Sequence, residues 1–226
     1  MFSRNTFLAL ALLLFACLAS AHNVSQRDAS FVQSNHGTAV AAFLYLGAKH
    51  MVTGYDHLAF LVGVIFFLYR ISDVVKYVSL FTLGHSITLL GGVLGGVHAN
   101  PYFIDAIIGL SVVYKAFDNL NGFPRFLGFE PNTKAAVLIF GLFHGFGLAT
   151  KLQELDLSKN GLVANIVSFN IGVEIGQVLA LTAVLIALRW WRTRAGFLRH
   201  AFATNTALMS AGFILTGYQI AGYFLA

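Results

Sequence analysis

Apolar residues fall into long runs separated by short polar interruptions, and these runs set the expected elements. After an apolar stretch from Phe7 to Leu18, residues 22–37 turn polar and are expected to form a short external strip with no fold of its own. Thr38–Ala48 is apolar again but too short for a hydrocarbon core that needs about 20 residues, so it is placed as a short interfacial or packed helix. The polar residues and glycine of His50–Gly54 break it from the next apolar run. Six further runs, Tyr55–Tyr69, Val75–Val97, Tyr102–Phe117, Ala135–Thr150, Leu162–Leu188 and Phe202–Leu225, read as transmembrane helices. The expected fold is an all-α polytopic membrane helix bundle: a signal peptide, the interfacial helix, then six spans.

Composition agrees with this pattern. Of 226 residues, 58% are apolar and 10% charged, against about 45–50% and about 25% in soluble domains. Too few charged side chains are present to coat a soluble domain of this size. Glycines recur four apart, as in Gly91 and Gly95, Gly141 and Gly145, and Gly172 and Gly176, which lets helices approach closely in lipid. The net charge of +5 comes from basic residues scattered singly between apolar runs, so no nucleic-acid partner is expected.

The basic residues serve instead to orient the chain. If the spans alternate from an outside start, the inner segments carry Arg70, Lys76, Lys115, Arg125, Lys134, Arg189, Arg192, Arg194 and Arg199. The outer segments carry Arg27, Lys49, Lys151 and Lys159. Nine against four favours both mature termini outside. Trp190 and Trp191 beside Arg189 and Arg192 mark the inner interface.

Residues 1–21 have the form of a Sec-type signal peptide, with Arg4 as the basic region and Ala19-Ser20-Ala21 as a small-x-small cleavage site. Residues 22–226 then form a single transmembrane helical domain, multi-pass in a bacterial inner membrane with a periplasmic N-terminus that starts at His22. The single cysteine, Cys17, lies in the signal segment, so no thiolate metal site is expected in the mature chain.

Ionisable side chains within spans are costly and need a partner or a polar cavity. Asp56 and His57 open the first span, His85 lies midway along the second, Asp105 near the outer end of the third and His144 in the fourth. Asn170, Glu174 and Gln177 follow i, i+4, i+7 spacing on the fifth, which makes one polar stripe whose natural target is the bundle interior. His50 and His57 are seven residues apart, too far for one ion on a continuous helix but able to converge across a break at Gly54. Imidazole and carboxylate donors suit nickel, cobalt, zinc or manganese, and the missing thiolates argue against Cu(I). The expected metal residues are His50, Asp56, His57, His85, His144 and Glu174, with Asp105, Asn170 and Gln177 as accessory candidates. Asp105 also reads as a helix cap after Pro101. His36, His98 and His200 read as surface residues.

The run His50-Met51-Val52-Thr53-Gly54-Tyr55-Asp56-His57-Leu58 has the form H-x5-D-H ahead of an apolar helix. With Phe81-Thr82-Leu83-Gly84-His85-Ser86, Phe143-His144-Gly145-Phe146-Gly147 and Phe169-Asn170-Ile171-Gly172-Val173-Glu174, it resembles the HupE/UreJ family of small bacterial membrane proteins over about residues 40–225. Met51 stands where that family usually has proline, and His144-Gly145 is single where a doubled His-Gly motif with a nearby Glu is usual. The resemblance implies a nickel, or sometimes cobalt, permease that accompanies hydrogenase or urease. It also implies His50, Asp56 and His57 as metal-handling residues, with His144 and Glu174 as further candidates.

Three classes of function remain in view. A permease for a divalent cation would carry the metal as cargo with no permanently bound cofactor, and would draw energy from a gradient or another subunit because no P-loop is present. A structural or assembly subunit would use the glycine-rich faces to bind partner helices, as a homo-oligomer or beside metalloenzyme maturation proteins. An intramembrane enzyme has little support: Ser86 beside His85 lacks a nucleophile elbow, and HExxH is absent.

Overall fold

The computed structural model of the chain describes residues 26–34, 37–154 and 158–225. The signal segment over residues 1–21, Cys17, His22 and His36 lie outside the described residues. Regular structure among the described residues is helical: α1 (Gln26–Ser34), α2 (Val40–Thr53), α3 (Tyr55–Ile65), α4 (Ile71–Gly95), α5 (Pro101–Asn119), α6 (Thr133–Gln153), α7 (Leu162–Arg192) and α8 (Phe197–Leu225). A π-helical turn, Phe123–Leu127, links α5 to α6. By length and composition α4, α6, α7 and α8 are each able to cross a membrane, and the chain is a membrane protein.

Local chemistry sets several of the boundaries. Asn100 accepts from the backbone N–H of Tyr102 at 3.0 Å and of Phe103 at 3.4 Å, with Pro101 at the first helical position, so Asn100 caps α5. Asp105 is therefore not the cap of this helix. Asn132 caps α6 by accepting from Ala135 N–H at 3.2 Å. Gly96 closes α4 in the left-handed region at φ 63°, where a side chain would be strained.

Two sequence expectations change at the N-terminal side. The polar strip contains a helix, α1, that buries Val32; its few apolar positions leave little periodicity to read. Of the interfacial and packed readings of the Thr38–Ala48 helix the packed one holds: it is α2, which runs on through Thr53 and packs lengthwise against α7 with Phe43, Leu46, Gly47 and Met51 buried. Ala39 N–H donates to Asn165 Oδ1 at 2.8 Å, Gly172 lies on the Leu44 carbonyl and Gly176 on the Ala48 carbonyl. Residue numbers rise together along these pairs, so α2 and α7 are parallel. The expected break falls at Gly54, where α3 begins. At 11 residues α3 is too short to span alone, and it follows α2 directly after the break at Gly54.

Two further pairs complete the bundle. α4 and α6 are parallel: Gly141 meets the carbonyl of Phe81, Gly145 that of His85, and Gly92 the side chain of Ala149. α5 and α8 are antiparallel, with Gly109 against Thr216, Val113 against Gly212 and Tyr102 against Gly222. The central element is α3, which touches α2, α4, α5, α7 and α8. A Cβ at Gly172 would overlap the Leu44 carbonyl. Gly172→Leu is therefore expected to force α2 off α7 and to abolish the monodisperse peak in detergent, whereas Gly91→Leu, with open space around it, should leave the peak intact.

Basic residues tie down the other end. The Arg192 guanidinium donates to the carbonyls of Ile65 at 2.7 Å, Phe66 at 2.5 Å and Leu68 at 2.9 Å, satisfying acceptors that the end of α3 leaves open. Lys115, counted by sequence among the inner basic residues, is buried within α5 and pairs with Asp118 at 2.5 Å. Arg192→Gln should lower stability by about 1.5–3 kcal/mol, the range for hydrogen bonds to a charged group, read as a fall in Tm in detergent.

Candidate metal centre

The imidazole of His57 sits at the hub of the bundle because the chain breaks at Gly54. Gly54 N–H donates to the His50 carbonyl at 2.7 Å and closes α2. α3 restarts at Tyr55, which turns Asp56 and His57 inward at 0% exposure. A Cβ at Gly54 would stand 3.4 Å from His57 Nδ1 and 3.5 Å from Asp56 Oδ1, so the small residue leaves room for the pair as well as the bend. On α4 and α6, the approach of Gly145 to the His85 carbonyl brings the buried rings of His85 and His144 to the same level.

Four imidazoles converge. From the His57 ring the centroids of His144, His50 and His85 lie at 4.7 Å, 5.3 Å and 5.7 Å. Phe60 and Phe81 pack against His144 at 5.5 Å and 5.1 Å and wall the cluster with aromatic carbon. Asp56, His57 and His144 each present one ligand atom, and these atoms lie within 4.8 Å of one another. A shared ion with donors about 2.0–2.2 Å away needs donor atoms at most about 4.4 Å apart, so the three would have to draw slightly closer to hold one together.

Hydrogen bonds fix which ring nitrogens carry lone pairs. His57 Nδ1 lies 2.9 Å from Asp56 Oδ1; a carboxylate only accepts, so Nδ1–H donates and the lone pair of the neutral ring sits on Nε2. The Ser111 hydroxyl donates its single proton to the Ile108 carbonyl at 2.6 Å. Its oxygen, 3.1 Å from His144 Nε2, therefore accepts, and His144 carries its lone pair on Nδ1. A ring that donates one N–H to an oriented acceptor and offers the other nitrogen is the arrangement metal-ligating histidines adopt. The Nε2 atoms of His50 and His85 are buried with no hydrogen-bond partner among the described residues, a cost of about 1–3 kcal/mol each that a bound cation would relieve.

Other expected residues lie elsewhere. Asp105 is buried and accepts from Lys151 Nζ at 2.9 Å and Gln219 Nε2 at 3.4 Å. Asp105 precedes Ser111 by six residues and Lys151 follows His144 by seven, so this ion pair lies about 9–11 Å along the helices from the cluster. Asn170 donates to Ser86 Oγ at 3.0 Å and Gln177 to Thr82 Oγ1 at 2.9 Å, so these two amides join α7 to α4. Glu174 is exposed, and the amide of Asn170 reaches it at 3.4 Å. The structure does not bring Glu174 among the imidazoles. His98 and His200 are not buried.

Sequence reasoning missed Ser111 and Lys151. Ser111 carries no local signal, since one serine in an apolar helix reads as filler. The pairing of Lys151 with Asp105 had a signal in two opposite charges at the same end of neighbouring spans.

A family model described as HupE / UreJ protein matches residues 26–226 of the chain. No curated protein and no solved structure matches it.

Proposed function

Because the chain belongs to the HupE/UreJ family, we propose that it carries a divalent metal cation, nickel or cobalt, across the bacterial inner membrane. The observation that carries this reading is the convergence of Asp56, His57 and His144 within 4.8 Å, surrounded by His50 and His85. Borderline divalent ions prefer neutral imidazole with a carboxylate. Burial at mid-bundle strips water from an ion that arrives, and the imidazoles replace its hydration shell. Release needs a site that does not hold too tightly, and among the described residues Asp56 is the one carboxylate beside the four imidazoles.

In this reading the ion reaches the cluster past Asp105 and leaves toward the end marked by Arg192. The α2–α3 pair, α4, α5, α6, α7 and α8 make six traversals with both mature termini periplasmic. Reporter fusions at Arg125 and Arg194 are then expected to read cytoplasmic, and a periplasmic signal at either would reverse the path. The metal is cargo, with no resident cofactor. Transport is tested by uptake into vesicles bearing wild type or Asp56→Asn, which removes the charge while keeping the shape. Uptake should fall at least tenfold in the variant, within the range seen when a group supporting a metal site is lost.

A second reading, an assembly subunit of a membrane complex, draws on Glu174. A carboxylate exposed on α7, the candidate span of highest mean hydropathy, costs about 2.5–3.5 kcal/mol in lipid, and a partner helix would relieve that. Under this reading Glu174→Ala releases a co-purifying partner, whereas under the permease reading Asp56→Asn stops uptake.

A further inference from the structure

Between α4 and α7, toward the Arg192 end, lies a cavity of about 680 Å³. Its walls are aliphatic, among them Val75, Val78, Val178, Leu181 and Leu185, and no carboxylate lines it among the described residues. The Thr182 hydroxyl donates to the Val178 carbonyl at 2.7 Å, so the wall offers little to a polar guest. At the rim stand Arg189, Arg192 and Tyr69. Arg192 is engaged by carbonyls of Ile65, Phe66 and Leu68 and lies over the Tyr69 ring at 4.6 Å. Arg189 is exposed and has no hydrogen bond or ion pair among the described residues.

We infer that this groove binds an anionic phospholipid, with its phosphate on Arg189 and an acyl chain along the aliphatic wall. Length supports the assignment. Arg189 and Val178 are eleven residues apart on one helix, about 16 Å of rise, which is half of a core about 30 Å thick. The groove is therefore as deep as one leaflet. Charge supports it too: a cationic rim without a carboxylate favours a negative headgroup over a zwitterionic one. The site is separate from the imidazole cluster and does not depend on the metal reading.

The test uses full-length protein reconstituted into nanodiscs of equal phosphatidylglycerol and phosphatidylcholine, then transferred to mild detergent, with retained lipid counted by native mass spectrometry. Wild type is expected to retain phosphatidylglycerol in preference. Arg189→Gln should reduce that preference about fivefold, the weight of one arginine at a membrane surface. Arg125→Gln, exposed but away from the groove, should leave it unchanged. Val178→Trp, at a position 62% exposed and on the wall, should lower retention of both lipids without loss of the monodisperse peak. Equal effects of Arg189→Gln and Arg125→Gln, or undiminished retention in Val178→Trp, would overturn the assignment.

Discussion

Replacing His57 by alanine is expected to lower affinity for nickel or cobalt at least a hundredfold in titrations of the purified protein. The loss is large because His57 is the ring that all three other imidazoles face, at 4.7–5.7 Å, and because it orients Asp56 through a 2.9 Å bond. Its removal takes away one donor and loosens a second. His57→Asn keeps much of the volume and a polar atom, so a similar loss in that variant separates ligation from packing. His98→Ala, outside the cluster, should bind as wild type does. If His57→Asn binds as tightly as wild type while remaining folded, His57 is not a ligand.

The second large effect is expected at a residue that touches no ion. Ser111 holds His144 by accepting from its Nε2–H at 3.1 Å while donating to Ile108. Without the hydroxyl, the ring loses the partner that keeps the lone pair on Nδ1. Loss of a group that orients a metal-binding ring costs about 10–100-fold in metal affinity, and Ser111→Ala should fall in that range. Ser111→Thr keeps the oxygen and is expected to recover most of the affinity. Equal losses in the two variants would point to packing instead of tautomer control.

Much of this fold could be read from the chain because long apolar runs have few alternatives in lipid: the helices from Pro101 onward bracket the expected apolar runs, and α4 covers all but the last two residues of Val75–Val97. What escaped reading depended on neighbours. The Thr38–Ala48 run looked isolated because the chain is interrupted at Gly54, and only the packing on α7 shows that its helix continues to Thr53, with α3 starting directly after the break. The H-x5-D-H spacing pointed to convergence at the break, and His50 and His57 do meet there. The stripe on α7 misled for a geometric reason. At about 100° per residue, Glu174 sits about 40° to one side of Asn170 and Gln177 about 20° to the other. The two amides are buried against α4, while the carboxylate passes over the edge of the contact. Spacing defines a face, but not how wide the neighbouring helix is.

Whether the imidazole and carboxylate cluster passes a divalent cation is decided by nickel uptake into proteoliposomes containing the purified full-length protein, beside matched vesicles of His57→Asn. Time-dependent, saturable accumulation is expected with wild type, with competition by cobalt, and a rate at the protein-free background with the variant. Wild-type vesicles that bind nickel in stoichiometric amount yet accumulate none in the lumen would contradict transport through the cluster.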